Sequence, residues 1–152
     1  MRTSVGWSAV PQGSRIAEML PTLDEHGNLP PGIHLASVES LVERFGSGSA
    51  EREVEIRELL DFIDWARTHG VRRIVVNGSF VTSKQRPNDV DVVVLPAAGD
   101  AREDAMIEFE PTAWPFLQIL VAADAEDLER WATSDFGTDR TGRGKGVVEV
   151  ML

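Results

Sequence analysis

A chain of 152 residues, 42% of them hydrophobic and 26% charged, is long enough for one domain with its own core and has the composition of an ordinary globular protein. The formal net charge of -10 opposes non-specific binding to duplex DNA, which needs a cationic surface, but it does not oppose binding of a small phosphorylated molecule in a local pocket. The absence of cysteine excludes disulfides, thiolate metal sites and cysteine nucleophiles, and it fits a reducing cytoplasm.

The sequence contains no signal for a membrane or for secretion. No apolar run approaches the roughly 18 residues that a membrane helix needs. The first residues lack a continuous apolar core followed by a small-residue cleavage site. We therefore expect a cytoplasmic protein without a membrane partner.

The first part of the chain predicts one short helix. Residues 1–19 have mixed polarity without a strong period, and we interpret them as an N-terminal extension to a domain that spans residues 20–152. Pro30-Pro31-Gly32 predicts an extended, turn-like segment that blocks a helix. Ser37 is a suitable N-cap for a short helix through Phe45, before a linker of glycine and serine.

The next segment gives the clearest helix signal. Ser49 is a second suitable N-cap, glutamates follow in the first turn, and Gly70 ends the segment. Apolar residues recur at helical spacing between these two positions. They are Ile56, Leu59, Leu60, Ile63 and Ala66.

The rest of the chain predicts strands that alternate with helices, so we expect an α+β fold with a mixed β-sheet and helices packed mainly on one face. The apolar runs are short enough for strands, and the segments between them carry caps and turn residues. The expected strands are 74–76, 90–95, 116–122 and 147–151. The segment 96–110 is expected to open as a loop and continue as a helix that carries Ala105, Met106 and Ile107, and a second, short helix is expected over 125–131.

One constellation carries a chemical signal. A buried strand ends in Gly78-Ser79, nine residues follow, and then Asp89 and Asp91 flank a valine in the next strand. Glycine lets the backbone approach a phosphate, and serine adds a hydroxyl and an N–H that can donate to phosphate oxygens. Two carboxylates two residues apart in a strand leave the same face, about 6–7 Å apart, which suits Mg²⁺ and the phosphates of a nucleoside triphosphate.

The alternative for these carboxylates is structural: Asp89 as a turn residue and Asp91 as a solvated strand residue. Aspartate is disfavoured inside strands, and the coupling to the Gly-Ser bend at this spacing favours the functional interpretation.

Two lysines are further candidates for binding the triphosphate. Lys84 lies in the loop between Ser79 and Asp89, and Lys145 stands between two glycines near the last strand, where the backbone could approach a ligand. The alternative for both is a solvated loop or turn residue.

Gly-Ser, a nine-residue gap and Asp-x-Asp together resemble the signature of the DNA polymerase β-like nucleotidyltransferase superfamily. Over about residues 20 to 152 the chain also looks like a small bacterial nucleotidyltransferase-like family of that superfamily. The segments that carry this narrower resemblance are Leu29 to His34, Glu43 to Gly46, Gly78 to Asp91, Phe136 to Arg140 and Lys145 to Val148.

The resemblance implies a minimal nucleotidyltransferase fold with an Mg²⁺ or Mn²⁺ site. Asp89 and Asp91 would be the metal-binding and catalytic residues, and Gly78 and Ser79 would cradle the triphosphate. A nucleoside monophosphate would pass to a hydroxyl of a protein or an RNA. Relatives of this size often belong to toxin–antitoxin or defence pairs.

One residue departs from the superfamily pattern. Active members carry a third carboxylate on the next core strand, where this chain has Gln118. An amide does not accept a proton at neutral pH and is a weaker metal ligand than a carboxylate. Asp124, Glu108 and Glu110 are nearby acids, but none has the expected position. The rival hypothesis is therefore an inactive fold kept as a protein-binding, antitoxin-like module.

Overall fold

The computed structural model describes residues 20–97 and 113–152, and in these two ranges the chain forms five strands and three α-helices. A 3-10 turn follows the second strand, and a π-helical turn follows the third helix. In chain order the elements are β1 (Gly32–Ala36), α1 (Val38–Phe45), α2 (Ala50–Thr68), β2 (Val71–Asn77), the 3-10 turn (Gly78–Val81), β3 (Val90–Pro96), β4 (Leu117–Val121), α3 (Ala125–Arg130), the π-helical turn (Trp131–Asp135) and β5 (Gly146–Val150).

The five strands form one mixed sheet in the order β1-β5-β2-β3-β4. The two outer pairs, β1 with β5 and β3 with β4, are parallel. The central strand β2 is antiparallel to both β5 and β3. The α+β class and the mixed sheet expected from the sequence are therefore confirmed.

The helices cover the two faces of the sheet unequally. Ile74, Val92 and Val148 lie in the main core, which α1 and α2 cover. Val75 and Val93, one residue further along their strands, belong to a smaller cluster that includes residues of α3 and the π-helical turn. Of the three helices in the described ranges, two therefore lie on one face and the shortest lies on the other.

Local signals located α1 and α2 correctly. The Ser37 hydroxyl accepts a hydrogen bond from the N–H of Ser40, and the Ser49 hydroxyl accepts one from the N–H of Arg52, as expected for N-caps. The apolar face of α2 differs from the predicted set of residues. Phe62, which the set lacks, is fully buried, whereas Leu60, which the set includes, is only partly buried.

The strand β1 was not predicted from the sequence. Its five residues show neither clean alternation nor a continuous apolar run, and only Ala36 is buried. The strand forms because it pairs in register with β5, from Gly32 opposite Gly146 to Ala36 opposite Val150.

Some expectations lie outside the described residues. These are the N-terminal extension over 1–19, the helix over 96–110 beyond Ala97, and the acids Glu108 and Glu110. In the described ranges, no helix is both long and apolar enough to cross a membrane.

A buried arginine joins α2 to the loop that follows β2. The side chain of Arg52 is 5% exposed, and its guanidinium lies over the rings of Phe45 and Phe80, 5.9 and 5.2 Å from their centroids. Its nitrogens donate to the carbonyls of Phe45, Phe80, Thr82 and Lys84 at 2.6–3.1 Å. Each of these carbonyls would otherwise need another donor. The arginine thus holds the segment between the glycine bend and β3 against the helix.

Replacing Arg52 with lysine should destabilise the fold by about 3 kcal/mol. The ammonium of lysine has three donors on one nitrogen and cannot reproduce the planar arrangement of guanidinium N–H groups. Buried carbonyls would therefore lose their hydrogen-bond donors. Urea unfolding of Arg52→Lys measures this loss, with Arg57→Lys on the exposed side of the same helix as the matched control. If the unfolding free energies of the two variants agree within 0.5 kcal/mol, the guanidinium does not have the role described.

Candidate metal and nucleotide site

The chain bends sharply where β2 ends. Gly78 has a φ of +76°, a region that residues with a Cβ rarely adopt, and the 3-10 turn begins there. A Cβ on this residue would overlap Oδ2 of Asp91 and lie 3.0 Å from its Cγ. The backbone of the glycine bend and the carboxylate of Asp91 are therefore in close contact, and a side chain at position 78 would separate them.

Asp91 lies in β3 between two polar neighbours. It pairs with Asn77 of β2 on one side and with Gln118 of β4 on the other. Its pKa is raised to about 6, chiefly by burial and also by the negative charge of Asp89, while the ammonium of Lys145 opposes the shift. Both charged groups therefore lie within electrostatic range of the Asp91 carboxylate. Four of the six predicted site residues, Gly78, Asp89, Asp91 and Lys145, thus belong to one cluster.

Lys145 enters the site from the start of β5. The side chain is half-buried; burial lowers its pKa, and the carboxylates of Asp91 and Asp139 oppose the shift. The flanking glycines do not make room for a ligand. A Cβ on Gly144 would meet Pro31, and one on Gly146 would meet Pro30 and His34, so these glycines allow close packing against the protein's own chain.

Ser79 and Lys84 have different relations to this cluster. Ser79 is half-buried inside the 3-10 turn, next to Gly78, and its carbonyl accepts hydrogen bonds from the N–H and hydroxyl of Thr82. Lys84 is exposed, and its carbonyl is held by Arg52. Among the contacts of the described residues, none joins the Lys84 ammonium to Asp89 or Asp91.

No acid on β4 takes the place that Gln118 occupies. Gln118 itself is exposed opposite Asp91. Asp124 lies six residues further on, about 20 Å along an extended chain, where its carboxylate caps α3 by accepting from the N–H of Asp127 at 2.8 Å. Asp124 therefore cannot act at the carboxylate pair.

A third acidic group comes from α2, and the sequence analysis did not identify it. Glu55 is 2% exposed, and its Oε1 accepts no hydrogen bond in the described structure. Its pKa is raised to about 7, chiefly by burial and also by the charges of Asp89 and Glu51, while the guanidinium of Arg52 opposes the shift. A signal was present in the sequence, because positions 52 and 55 continue the apolar face of α2 with charged residues.

The oxygen atoms at the bend suit a hard cation. Besides the two aspartates, Oδ1 of Asn77 is buried without a hydrogen-bond partner, while its Nδ2 donates to the carbonyl of Val75. In residues 20–97 and 113–152 no three His, Cys, Asp or Glu side chains are grouped closely enough to form a metal cage. Magnesium does not need such a cage, since it is usually bound by one or two carboxylates together with water and substrate phosphates. The residues present fit a cation of this kind.

Glu55 should give the fold a measurable pH dependence. Its pKa of about 7 in the folded state lies above the ordinary value of 4.5, so between these values the folded state binds more protons than the unfolded state. The unfolding free energy of the wild type, relative to Glu55→Gln, should therefore fall by on the order of 2 kcal/mol as the pH rises from 4.5 to 7. Urea unfolding across this range measures the difference, and Glu53→Gln should follow the wild type. Parallel curves for wild type and Glu55→Gln would contradict the prediction.

Comparison with known proteins identifies a family without assigning an activity. A family described as one of unknown function, DUF6932, matches residues 21–151. No curated protein and no solved structure matches the chain. The matched region contains the glycine bend, both aspartates, Glu55 and Lys145. Because the match covers most of its length, the chain belongs to the DUF6932 family.

Proposed function

We propose that the protein is an Mg²⁺- or Mn²⁺-dependent nucleotidyltransferase of the DNA polymerase β-like superfamily, which binds a nucleoside triphosphate and transfers a nucleoside monophosphate to a hydroxyl. The observation that carries the proposal is the contact between the Asp91 carboxylate and the glycine bend, where the charges of Asp89 and Lys145 also act on Asp91. Phosphoryl transfer depends mainly on positioning and charge neutralisation, and these groups supply both.

Each residue has a defined task in this proposal. Asp89 and Asp91 hold the cation, which when bound neutralises phosphate charge and orients the triphosphate. The N–H and hydroxyl of Ser79 donate hydrogen bonds to phosphate oxygens. The ammonium of Lys145, already beside Asp91, adds a positive charge to an otherwise acidic cluster. Lys84 contributes only if its exposed side chain turns towards the phosphates.

The setting of the reaction is also part of the proposal. We place the protein in the cytoplasm, in keeping with its lack of cysteine, and within a toxin–antitoxin or defence pair. The transfer itself can be tested with labelled ATP, GTP, CTP and UTP, each supplied with Mg²⁺ or Mn²⁺ and with protein and RNA fractions of a cell extract as acceptors. Metal-dependent label in one fraction supports the proposal; if no nucleotide binds in the presence of either metal, the proposal is wrong.

The two aspartates should be needed for binding the metal–nucleotide complex. Asp89→Asn and Asp91→Asn each remove a charged oxygen ligand, so we expect the Kd for Mg²⁺ with the preferred nucleotide to rise at least tenfold, about 1.4 kcal/mol. Calorimetric titration measures the Kd, and Asp135→Asn, an exposed aspartate outside the cluster, is the control. Unchanged Kd values in both site variants would exclude this pair as the metal ligands.

A second candidate function is a binding module that has lost catalysis. The specific observation in its favour is Gln118, which occupies the β4 position opposite Asp91 with an amide. In this case the wild type binds a partner protein, or a nucleotide, without transferring label under any condition of the assay above. Label transfer by the wild type that is lost in Asp89→Asn would favour the nucleotidyltransferase over the binding module.

A further inference from the structure

A groove runs along the N-terminal half of α2 and reaches the candidate site. It has a volume of about 480 Å³, and its walls include Val54 and Glu55 of α2, Arg86 and Asn88 of the loop before β3, and Phe116. Asn88 directly precedes Asp89, so one wall of the groove is continuous with the loop that ends at this aspartate.

Among the side chains that line this groove, Glu55 carries a buried oxygen without a hydrogen-bond partner. Its Oε1 is buried and accepts no hydrogen bond. The adjacent guanidinium of Arg52 donates all of its described hydrogen bonds to backbone carbonyls. A buried carboxylate oxygen without a hydrogen bond costs stability. The charge of Arg52 offsets only part of this cost, since the pKa of Glu55 stays raised, so the fold alone gives little reason for the residue.

The charges around Glu55 relate it to the metal ligands. Arg52 and Glu51 lie on its own helix, and Asp89 acts on it from the loop before β3. The same Asp89 acts on Asp91. Asp89 is therefore within electrostatic range both of Glu55 in the groove and of Asp91 at the glycine bend.

We propose that Glu55 is a catalytic residue that accepts the proton of the attacking hydroxyl, and that this groove admits the acceptor. The inference rests on the proposed function. The acceptor oxygen forms a bond to the α-phosphorus as its proton passes to the Glu55 carboxylate. The bond from the α-phosphorus to the bridging oxygen breaks, and pyrophosphate leaves with that electron pair.

The walls of the groove favour a protein as the acceptor. Val54 and Phe116 are apolar and 38% and 40% exposed, and they also line a second, adjoining pocket. The two pockets together carry four acidic side chains against two arginines. An RNA would bring phosphates towards this acidic surface, whereas an apolar or basic peptide segment with a serine, threonine or tyrosine would not be repelled. The acidic residues are Glu51, Glu55, Glu58 and Asp61, and the basic residues are Arg57 and Arg86.

The test compares Glu55→Gln with Glu53→Gln, an exposed glutamate one half-turn away on the same helix. The transfer rate is measured with the preferred nucleotide and with the protein and RNA fractions as acceptors. We expect label in the protein fraction, a rate at least 100-fold lower for Glu55→Gln, and a wild-type rate for Glu53→Gln. Calorimetry should give a Kd for the metal–nucleotide complex within threefold of wild type in both variants. Formate should restore part of the rate of Glu55→Ala, because it can enter the space left by the side chain.

The outcomes separate the two proposals. Wild type that transfers no label refutes the proposed function, and this inference with it. Wild-type transfer with Glu55→Gln active to within threefold overturns the role of Glu55 alone. Loss of nucleotide binding together with transfer in Glu55→Gln, with no rescue of Glu55→Ala by formate, assigns Glu55 a structural role and also overturns the inference. Label confined to RNA overturns the choice of acceptor.

Discussion

The arrangement of the site depends on one guanidinium in the core. Arg52 donates hydrogen bonds to carbonyls at the end of α1, in the 3-10 turn and in the loop before β3. The loop from the turn to β3 is held by this side chain and by the backbone contacts of Thr82 with Asn28 and of Ser83 with Gly27. Because Gly78 begins the turn and Asp89 ends the loop, Arg52 supports the connection between the bend and the aspartates. The pairing of β2 with β3 brings Asp91 itself to the bend.

The residues at the bend are costly for the fold. Glu55 and Asp91 are carboxylates whose pKa values rise on burial, and the nearby Lys145 has its pKa lowered by burial. Unpaired oxygens on Glu55 and Asn77 add to this cost. Charged groups that are buried at such a cost are common at functional sites, where a ligand supplies the missing partners.

Sequence reasoning succeeded where the signal is local. Serine caps and helical spacing located α1 and α2, and the Gly-Ser and Asp-x-Asp pattern pointed to Gly78 and Asp91, which the fold brings into contact. Asp89, expected in the same strand as Asp91, directly precedes that strand. The predictions from the sequence failed where the structure depends on contacts between distant parts of the chain. The strand β1 forms only through pairing with β5, more than a hundred residues later. Glu55 belongs to the site because α2 lies beside the loop before β3, and a helical pattern alone does not show which polar residue on a buried face has a partner.

The position of β5 has a consequence for how the protein is made. β1 is at the edge of the sheet and touches it only through β5, which separates it from β2. During synthesis β1 therefore remains unpaired until residues near 150 leave the ribosome. Closing so large a loop slows the final step of folding. Lys145 is synthesised directly before that same strand. A nascent chain therefore contains the two aspartates before it contains the lysine whose positive charge opposes theirs.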